Sequence, residues 1–368
     1  MNHNQLSNQA IGSKEIVYSV SNMLIGLGIL TLPNTIARNT HFSDGWMSIM
    51  LGGMIALGFA WAIGTLASRF PGKNYHAMAT IIMNRKAAHV VTLLISLYLL
   101  LFVSYQVRGV STITRLYLFD NTPEEIIGLV YLLVLIYAVA GPSIALLRLN
   151  LIFFPIVVSI MLLIVFLNLG SLNVHYLLPV FKTDWRKIVI TSKDTVFSYL
   201  GLEIMLFYNI YVVRKSKLLG SIFRGVLIPI LIYFIIFVFV IGVFGPMVVS
   251  NTLYPLAELA KEVEVPGGIF ERFEFFFFVI WLMTLFSTNA MAFDVALLAL
   301  ESVFPKYRRF SMILVMAPIL FILGLLPSTL RELNVFAEWI SYMGIGFAWV
   351  LPALLLLVAK VRGVKGDG

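Results

Sequence analysis

Two apolar stretches in the second half of the sequence limit what this chain can fold into. Residues 218–249 and 273–300 are long enough to cross a lipid bilayer as tilted helices, because a spanning helix needs about 20 apolar residues. A transmembrane β-barrel would alternate apolar and polar residues along each strand. The run of four phenylalanines at 275–278 does not alternate. The sequence therefore predicts membrane-spanning helices.

The scarcity of charged residues excludes a water-soluble domain. Charged residues make up 12% of the 368 residues and hydrophobic residues 60%, with a mean hydropathy of +0.96. A soluble domain carries about 25% charged residues, because water must wet its surface. We therefore predict an all-α integral membrane protein, a single transmembrane domain over residues 1–368. Its ten spans are expected at roughly 15–37, 45–68, 89–118, 125–142, 145–169, 194–213, 222–246, 273–300, 310–327 and 336–359.

The distribution of Lys and Arg predicts the orientation of these spans. On the side that holds both termini the predicted loops carry sixteen Lys and Arg residues, against nine on the other side. Cytoplasmic loops of membrane proteins are enriched in these residues, so we expect both termini in the cytoplasm. The net charge of +8 is explained by these loops and does not indicate a nucleic-acid partner.

The first predicted span contains residues that weaken a helix near the middle of the bilayer. Gly26, Leu27, Gly28 and Ile29 are followed by Pro33. Glycine and proline destabilise a helix, and lipid offers no partners to freed backbone groups. Either the glycines allow close helix packing beside a proline kink, or the helix opens here to form a binding site.

The sixth predicted span has a similar interruption. Tyr199, Gly201, Leu202 and Glu203 lie well inside the span, where an ionisable residue normally faces a cavity or a partner. Paired broken helices in two inverted repeats of five spans are typical of secondary transporters, and half-helix N-termini there bind anionic groups. We predict such repeats at approximately 15–169 and 194–359. Glu203 either lines the central site or is a neutral, hydrogen-bonded structural carboxyl.

The same residues resemble known families. The segment at 26–33 resembles the first-helix signature of the amino acid–polyamine–organocation superfamily. The chain length, the ten spans and the turn at 69–73 resemble the membrane-embedded B subunit of spore germinant receptors. This resemblance implies a leucine-transporter-like fold, with helices 1 and 6 broken, and a pocket for a small-molecule germinant such as an amino acid. It also implies partner A and C subunits and a location in the inner spore membrane.

The third predicted span is expected to contribute to the pocket. One face carries polar residues at helical spacing, which are Tyr98, Ser104, Tyr105, Arg108, Ser111, Thr112 and Arg115. Tyr98, Tyr105 and Arg108 are candidates for lining a cavity near Glu203. For the serines and Thr112, hydrogen bonds between helices explain the pattern equally well. The opposite face is apolar except for Gln106, and we expect it to meet lipid or the core.

The eighth predicted span also carries polar residues on one face. Thr284, Ser287 and Asp294 are at helical spacing, and we include Ser287 among the candidate ligand-binding residues. Asp294 lies near the end of the span that is expected to be cytoplasmic. A carboxylate there either reaches the interface or meets a basic loop, so a structural role is the favoured interpretation.

Two functions fit these observations, a nutrient-sensing receptor subunit and a proton-coupled amino-acid transporter. The resemblance implies that a proton-coupled transporter would commonly carry a lysine in the fifth span, but residues 153–168 contain no charge. This favours the sensor, although Glu203 could carry a proton. The sequence shows no nucleophile–base set, no phosphate-binding glycine loop and no histidine pair at metal-ligand spacing. We expect no enzymatic activity, no cofactor and no metal.

Overall fold

The computed structural model describes residues 10–40, 43–213, 215–263 and 273–364. Arg214, Arg272 and Lys365, which contributed to the charge distribution, lie outside the described residues. The described chain is almost entirely helical. Its α-helices are α1 (Ser13–Ile25), α2 (Gly28–Thr40), α3 (Trp46–Arg69), α4 (Tyr75–Ile82), α5 (Arg85–Tyr117), α6 (Glu124–Val139), α7 (Ser143–Leu167), α8 (Trp185–Ser198), α9 (Ile204–Tyr208), α10 (Leu218–Phe244), α11 (Pro246–Asn251), α12 (Pro255–Lys261), α13 (Phe273–Val303), α14 (Arg309–Leu325), α15 (Leu330–Gly344) and α16 (Leu351–Val361).

The long helices match the predicted membrane spans. In the described part of the chain, six helical segments are long and apolar enough to cross a membrane, and α1 with α2 forms a seventh span that bends by 49°. The other three predicted spans correspond to α6, to α8 with α9, and to α14, which are shorter. The chain is therefore a multi-pass membrane protein, as the sequence predicts.

The two broken helices occupy equivalent positions in the two halves of the bundle. α1 packs against α10, and α8 packs against α3, while α3 and α10 also pack on each other. The third helix of each half, α5 and α13, forms another central pair. Such exchanged contacts are expected when two repeats have inverted topology. The residue bounds proposed for the repeats stay a prediction.

Both ends of the described chain lie on one side of the bundle. Arg69, where α3 ends, donates from Nε to the carbonyl of Val364 at 2.7 Å. Arg148, near the start of α7, donates to the carbonyl of Ala10 at 3.5 Å. We call this side the terminal side. α16 reaches it through a wider π-helical turn at Ile345–Val350, which separates it from α15.

Two loop regions cover the opposite side. The side-chain amide of Asn34 on α2 donates to the carbonyls of Val249 and Ser250, both at 3.0 Å, and so attaches α11 to the first broken helix. The carboxylate of Asp44 accepts hydrogen bonds of 2.6–2.8 Å from the three backbone N–H groups of residues 181–183. These contacts fix the loop before α8 and therefore the direction in which α8 enters the bundle.

Candidate functional site

The first broken helix is interrupted where the sequence predicts it. α1 ends at Ile25 and α2 begins at Gly28. The last turn of a helix leaves carbonyl groups without intrahelical partners. Here the Tyr233 hydroxyl of α10 lies 2.9 Å from the carbonyl of Leu24 and 3.3 Å from that of Ile25. A neighbouring helix therefore stabilises the break on the α1 side.

The second broken helix opens over a longer stretch. α8 ends at Ser198 and α9 begins at Ile204, so that residues 199–203 lie outside regular helix. Gly201 has a φ of +119°, a conformation that residues with a Cβ rarely adopt. A Cβ at Gly201 would also lie 2.5 Å from Cγ of Met23 on α1. Both the backbone angle and the close contact require glycine at this position.

The two breaks lie against each other at the centre of the bundle. Met23 contacts Gly201, and a Cβ built on Gly28 would lie 3.0 Å from Oγ of Ser198. The Tyr199 ring packs edge-on against Tyr233, with 5.6 Å between the ring centroids. We call the region enclosed by residues 26–28, residues 199–203 and the side chains that contact them the central site.

Glu203 is buried in the central site, with 1% of its surface exposed. Its Oε2 accepts a hydrogen bond of 3.1 Å from the backbone N–H of Gly201. The Tyr98 hydroxyl of α5 faces the same carboxyl group and lies beside Gly344 of α15. Within the described residues Oε1 has no partner at hydrogen-bonding geometry. A buried oxygen left unpaired is unfavourable, so Oε1 is available to a donor on a ligand.

Three other buried polar atoms at the central site have no hydrogen-bond partner among the described residues. They are Oδ1 of Asn22, Oε1 of Gln106 and the hydroxyl of Tyr199. Gln106 is adjacent to the first break, because a Cβ on Gly26 would lie 3.4 Å from its Nε2. More than about 90% of buried polar groups in proteins have partners. A polar ligand in the central site would supply the missing ones.

Arg108, which was predicted to line a cavity near Glu203, pairs with a different carboxylate. Its Nη2 lies 3.2 Å from Oε2 of Glu124 in the first turn of α6. Arg115 pairs with the same carboxylate at 3.4 Å, and the Thr112 hydroxyl donates to it at 3.0 Å. Glu124 follows the turn between α5 and α6 and therefore lies beside the last turns of α5. Its carboxylate pairs there with both Arg108 and Arg115.

Most of the predicted polar face of α5 points away from the central site. Ser104 donates to a carbonyl of α14 at 2.9 Å, and Ser111 donates within α5 at 2.8 Å. The Tyr105 ring packs edge-on against Phe336 of α15, at 6.3 Å between centroids. Ser104 therefore connects two helices, as in the alternative interpretation of the serines, whereas Ser111 bonds within its own helix. Tyr98 is the member of this face that the structure places at Glu203.

The face of α5 that the sequence assigned to lipid or core instead contacts the first break. Leu27 packs on Gly109, where a Cβ would lie 2.7 Å from Cδ1 of Leu27, and Gln106 contacts Gly26. Gln106 was not predicted as a site residue. Its polarity on an otherwise apolar helix face is the sequence feature that could have identified it. Ile29 and Leu202, which were predicted, are fully buried apolar residues beside the two breaks.

Ser287 takes part in a network that joins α1, α7 and α13. Its hydroxyl donates to Oδ1 of Asn150 at 2.6 Å, and Nδ2 of Asn150 lies 3.1 Å from Oγ of Ser19. Thr288 donates to the carbonyl of Asn22 at 3.0 Å, and Nδ2 of Asn22 lies 3.3 Å from a carbonyl of α13. Uncharged hydrogen bonds therefore hold α1 against α13 beside the central site.

Asp294 lies between the central site and the terminal side of the bundle. It is fully buried and forms an ion pair with Arg309 of α14. It also accepts hydrogen bonds from the hydroxyl of Tyr208 on α9, at 2.8 Å, and from that of Ser143 on α7, at 2.9 Å. Glu301 pairs with the same guanidinium at 3.1 Å. This cluster, the Asp294 cluster, joins four helices and agrees with a structural role for Asp294.

Two further contacts hold the terminal-side ends of the broken helices. Ile11, which precedes α1, pairs with Val212 in a single parallel bridge, and its N–H donates to the carbonyl of Tyr211 at 2.8 Å. Nδ2 of Asn209 lies 2.9–3.2 Å from three backbone carbonyls of the segment 67–73. The turn that resembled the germinant receptor subunits is thus attached to the end of α9.

Partly exposed residues lead to the central site from the opposite side. On α2 these residues are Gly28, Thr31 and Thr35, which are half-buried, and Asn39, which is exposed. Their spacing of three or four residues places them on one helix face. Asp194 and Ser198 of α8 are also half-buried, and Asn39 donates to Asp194 at 3.0 Å. Partly exposed side chains therefore extend from the first break towards the side opposite the termini.

Comparisons with known sequences identify the family. The sequence pattern of the family described as spore germination protein matches residues 10–333. Spore germination protein GerLB of Bacillus cereus is 34% identical over 364 residues, which cover 98% of this chain and 97% of the relative. Spore germination protein YndE of Bacillus subtilis is 29% identical over 343 residues, which cover 93% of this chain and 94% of the relative.

Comparisons with solved structures identify the fold. The structure of MhsT in complex with L-phenylalanine has a TM-score of 0.70 at 16% identity, over 97% of this chain and 90% of that one. Mhp1, a nucleobase-cation-symport-1 family transporter in a closed conformation with bromovinylhydantoin bound, has a TM-score of 0.66 at 15% identity, over 94% of this chain and 77% of that one. The fold is leucine-transporter-like, as predicted. The chain belongs to the spore germination protein family, that of the germinant receptor B subunits its sequence resembles.

Proposed function

We propose that the chain is the nutrient-sensing membrane subunit of a spore germinant receptor. It binds a small amino acid in the central site and transmits a conformational change to partner A and C subunits. The observation that carries this proposal is the buried Oε1 of Glu203, which lacks a donor within the described residues at the point where α8 and α9 separate. The proposal places the chain in the inner spore membrane, with both termini in the cytoplasm and no catalytic role.

An α-amino acid has the charges that the two breaks can accept. Its ammonium group would donate to Glu203, and its carboxylate would accept from the first N–H groups of α2, which have no intrahelical partners. A buried charge is tolerated when it is paired and hydrogen-bonded. The apolar side chains of Leu27, Ile29 and Leu202 favour a ligand with a small apolar side chain. MhsT holds L-phenylalanine in the same fold, and we extend this ligand class to the chain.

A ligand between the breaks would change how the half-helices lie relative to each other. α9 begins directly after Glu203 and contributes Tyr208 to the Asp294 cluster. The segment after α9 is paired with Ile11 ahead of α1. A displacement at Glu203 is thus carried to the terminal surface by a short, hydrogen-bonded path, and a partner subunit bound there would detect it.

A proton-coupled amino-acid transporter is the second candidate, because Glu203 could carry a proton. The absence of a charged residue at 153–168, where the resemblance implies a lysine, favours the sensor. The hydroxyls of Ser287 and Thr288 donate to Oδ1 of Asn150 and to the carbonyl of Asn22, so uncharged hydrogen bonds hold α1 against α13.

The experiment measures binding and uptake of radiolabelled amino acids in liposomes, with the chain alone and with its partners. We expect saturable binding without accumulation, and binding that is weakened by Glu203→Gln. Accumulation driven by an imposed pH gradient would establish the transporter instead. Absence of saturable binding both alone and with partners would contradict a ligand site in this chain.

A further inference from the structure

Two histidine rings are in contact on the terminal side, apart from the central site. His76 lies in the first turn of α4 and His89 lies near the start of α5. The ring centroids are 4.8 Å apart, with 85° between the ring planes, and both side chains are half-buried. Histidine is the side chain whose charge ordinarily changes near neutral pH. Neither the central site nor the ligand proposed above accounts for this pair.

The hydrogen-bond network assigns the proton to one nitrogen of each neutral ring. Nδ1 of His89 lies 2.6 Å from the carbonyl of Arg85, which can only accept, so Nδ1 donates. Nδ1 of His76 lies 3.1 Å from the hydroxyl of Thr92, and that hydroxyl already donates to the carbonyl of Ala88 at 2.7 Å. The hydroxyl therefore accepts from His76. In both rings a second proton would be added at Nε2.

The charges nearest to the pair oppose its protonation. Burial lowers the pKa of His76, and the nearby His89 and Arg85 lower it further. Arg85 is exposed, and residues 45–119 contain no acidic residue. His76 is therefore uncharged near neutral pH. A fall in pH would bring two like charges into contact between α4 and α5.

The other elements packed against α4 supply no unpaired carboxylate among the described residues. α13 carries Glu301, which pairs with Arg309 at 3.1 Å, and α9 carries no charge. α16 carries Arg362, which donates to the carbonyl of Ile82 at the end of α4. Lys73, in the turn before α4, has an interaction of its own. The neighbouring ends of α3, α5 and α16 add the cations Arg69, Lys86 and Lys360.

α4 connects the pair to the second broken helix. Tyr75, the residue before His76, stacks its ring on that of Phe207 in α9, with 5.3 Å between the centroids. Nδ2 of Asn209, just after α9, lies 2.9–3.2 Å from three backbone carbonyls of the segment 67–73, which leads into α4. Because α4 is only eight residues long, a displacement of His76 also displaces Tyr75.

We propose that the contact between His76 and His89 makes the second broken helix sensitive to the pH on the terminal side. With neutral rings, α4 packs on α5 and holds α9 in the arrangement described here. When both rings are protonated, their like charges push the first turn of α4 away from α5 and weaken the stacking of Tyr75 on Phe207. Acid thus loosens α9, which begins directly after Glu203.

The direction of the pH effect follows from linkage. A histidine whose pKa is lower in the packed state binds a proton more readily once the packing is lost. The packing of α4 is therefore complete above about pH 6.5, the ordinary pKa of histidine, and is progressively lost below it.

The test measures amide hydrogen exchange by mass spectrometry in the purified full-length chain, reconstituted in lipid nanodiscs. Rates are compared at about pH 7.5 and about pH 5.5, on either side of the ordinary histidine pKa, and corrected for the intrinsic effect of pH. No ligand is added, so the result is independent of the function proposed above. We expect peptides of α4 and α9 to exchange at least about threefold faster in acid, because exchange reports local opening. Peptides of α7, which contains no histidine, should not change.

Three variants assign the effect to the pair. His76→Gln/His89→Gln keeps an N–H donor at each position and removes both titrating rings, so α4 and α9 should exchange alike at the two pH values. His89→Phe keeps a ring against His76 without a charge, and it should reduce the acid effect even if the double variant folds poorly. His175→Gln, at an exposed position on the opposite side, should retain the full effect.

Two results would overturn the proposal. One is equal exchange of wild-type α9 at both pH values. The other is an undiminished acid effect in His89→Phe or in the folded double Gln variant, which would assign the titration to other groups.

Discussion

A Cβ atom on Gly28 of α2 would lie 3.0 Å from the Ser198 hydroxyl of α8. The same atom would lie 2.9 Å from the hydroxyl of Tyr233, which donates a hydrogen bond to a carbonyl at the end of α1. One glycine therefore sits where the first break meets both the second broken helix and the residue that stabilises α1. The packing of both broken helices and the access of the proposed ligand depend on the same small volume at this point.

Replacement of Gly28 is expected to affect folding together with the ligand response. In Gly28→Val the new side chain must displace Ser198 or Tyr233, and overpacking of this kind costs about 1–3 kcal/mol. We expect lower protein abundance in the membrane, measured by immunoblotting, as well as loss of the response. If the glycine served only the ligand site, Gly28→Val would instead leave the protein level within about twofold of the wild type. A normal level of Gly28→Val without response would support that simpler view.

Glu203→Gln tests the charge of the central site. The substitution retains shape and hydrogen-bonding capacity but removes the partner proposed for a ligand ammonium group. We expect the ligand concentration for half-maximal response to rise at least about tenfold, since loss of a buried charge pair costs roughly 2 kcal/mol or more. Glu338→Gln, on an exposed position of α15, is the matched control. If Gln behaves as the wild type while Ala lowers abundance, Glu203 is a structural hydrogen-bond partner only.

Gln106→Leu tests the wall of the central site that the sequence did not identify. Because Oε1 of Gln106 has no partner within the described residues, its removal leaves no protein donor unsatisfied. We expect abundance within about twofold of the wild type and a ligand response weakened about tenfold, as for other lost polar contacts to a bound ligand. Ser104→Ala, on the opposite face of α5, should leave the response unchanged. An unaltered response in Gln106→Leu would remove this residue from the site.

Arg309→Gln tests the Asp294 cluster. The change leaves a fully buried carboxylate without its cation, and the loss of one partner of a buried pair costs about 3–5 kcal/mol. We expect a marked decrease in Tm and in abundance. Asp294→Asn combined with Arg309→Gln should recover part of the loss, because no fully buried charge is then left unpaired; Glu301, which loses the same cation, is partly exposed. Arg308→Gln, an exposed neighbour, is the control, and an effect as large as that of Arg309→Gln would argue against a specific ion pair.

The orientation is tested by single cysteines, which the native sequence lacks. Positions adjacent to Arg85 and Arg308 lie on the terminal side and are expected to be shielded from an impermeant thiol reagent in intact cells. A position adjacent to Glu124 is expected to react, because it lies on the opposite side. Labelling in the reverse pattern would invert the orientation predicted from the Lys and Arg distribution.

The sequence was informative about the backbone and less informative about side-chain partners. Gly26, Gly28 and Gly201 predict both breaks, because glycine has the same effect on a helix in any context. Glu203 is recognisable because a carboxylate inside a span is rare. The partner of Arg108 was not recognisable, since the choice between Glu203 and Glu124 depends on how far along α5 each carboxylate lies.

The assignment of the faces of α5 shows a more general limit. Helical periodicity shows which residues share a face, but it does not show which neighbouring helix that face meets. In a membrane bundle, polar residues such as Ser104 and Ser111 also serve contacts between helices, so polarity does not single out a ligand site. Gln106 lies on an otherwise apolar face of α5 and nevertheless contacts the first break. A closely packed site has apolar walls as well as polar contacts, so an apolar helix face can form part of it.

The bridge between Ile11 and Val212 has a consequence for how the terminal-side ends of the two broken helices can move. It joins the residues ahead of the first broken helix to those behind the second. When the terminal-side half of one broken helix moves, either the bridge stretches or the other half moves with it. The two halves therefore do not move independently. A partner protein bound at these two short segments would therefore detect one combined displacement, whichever break the proposed ligand contacts first.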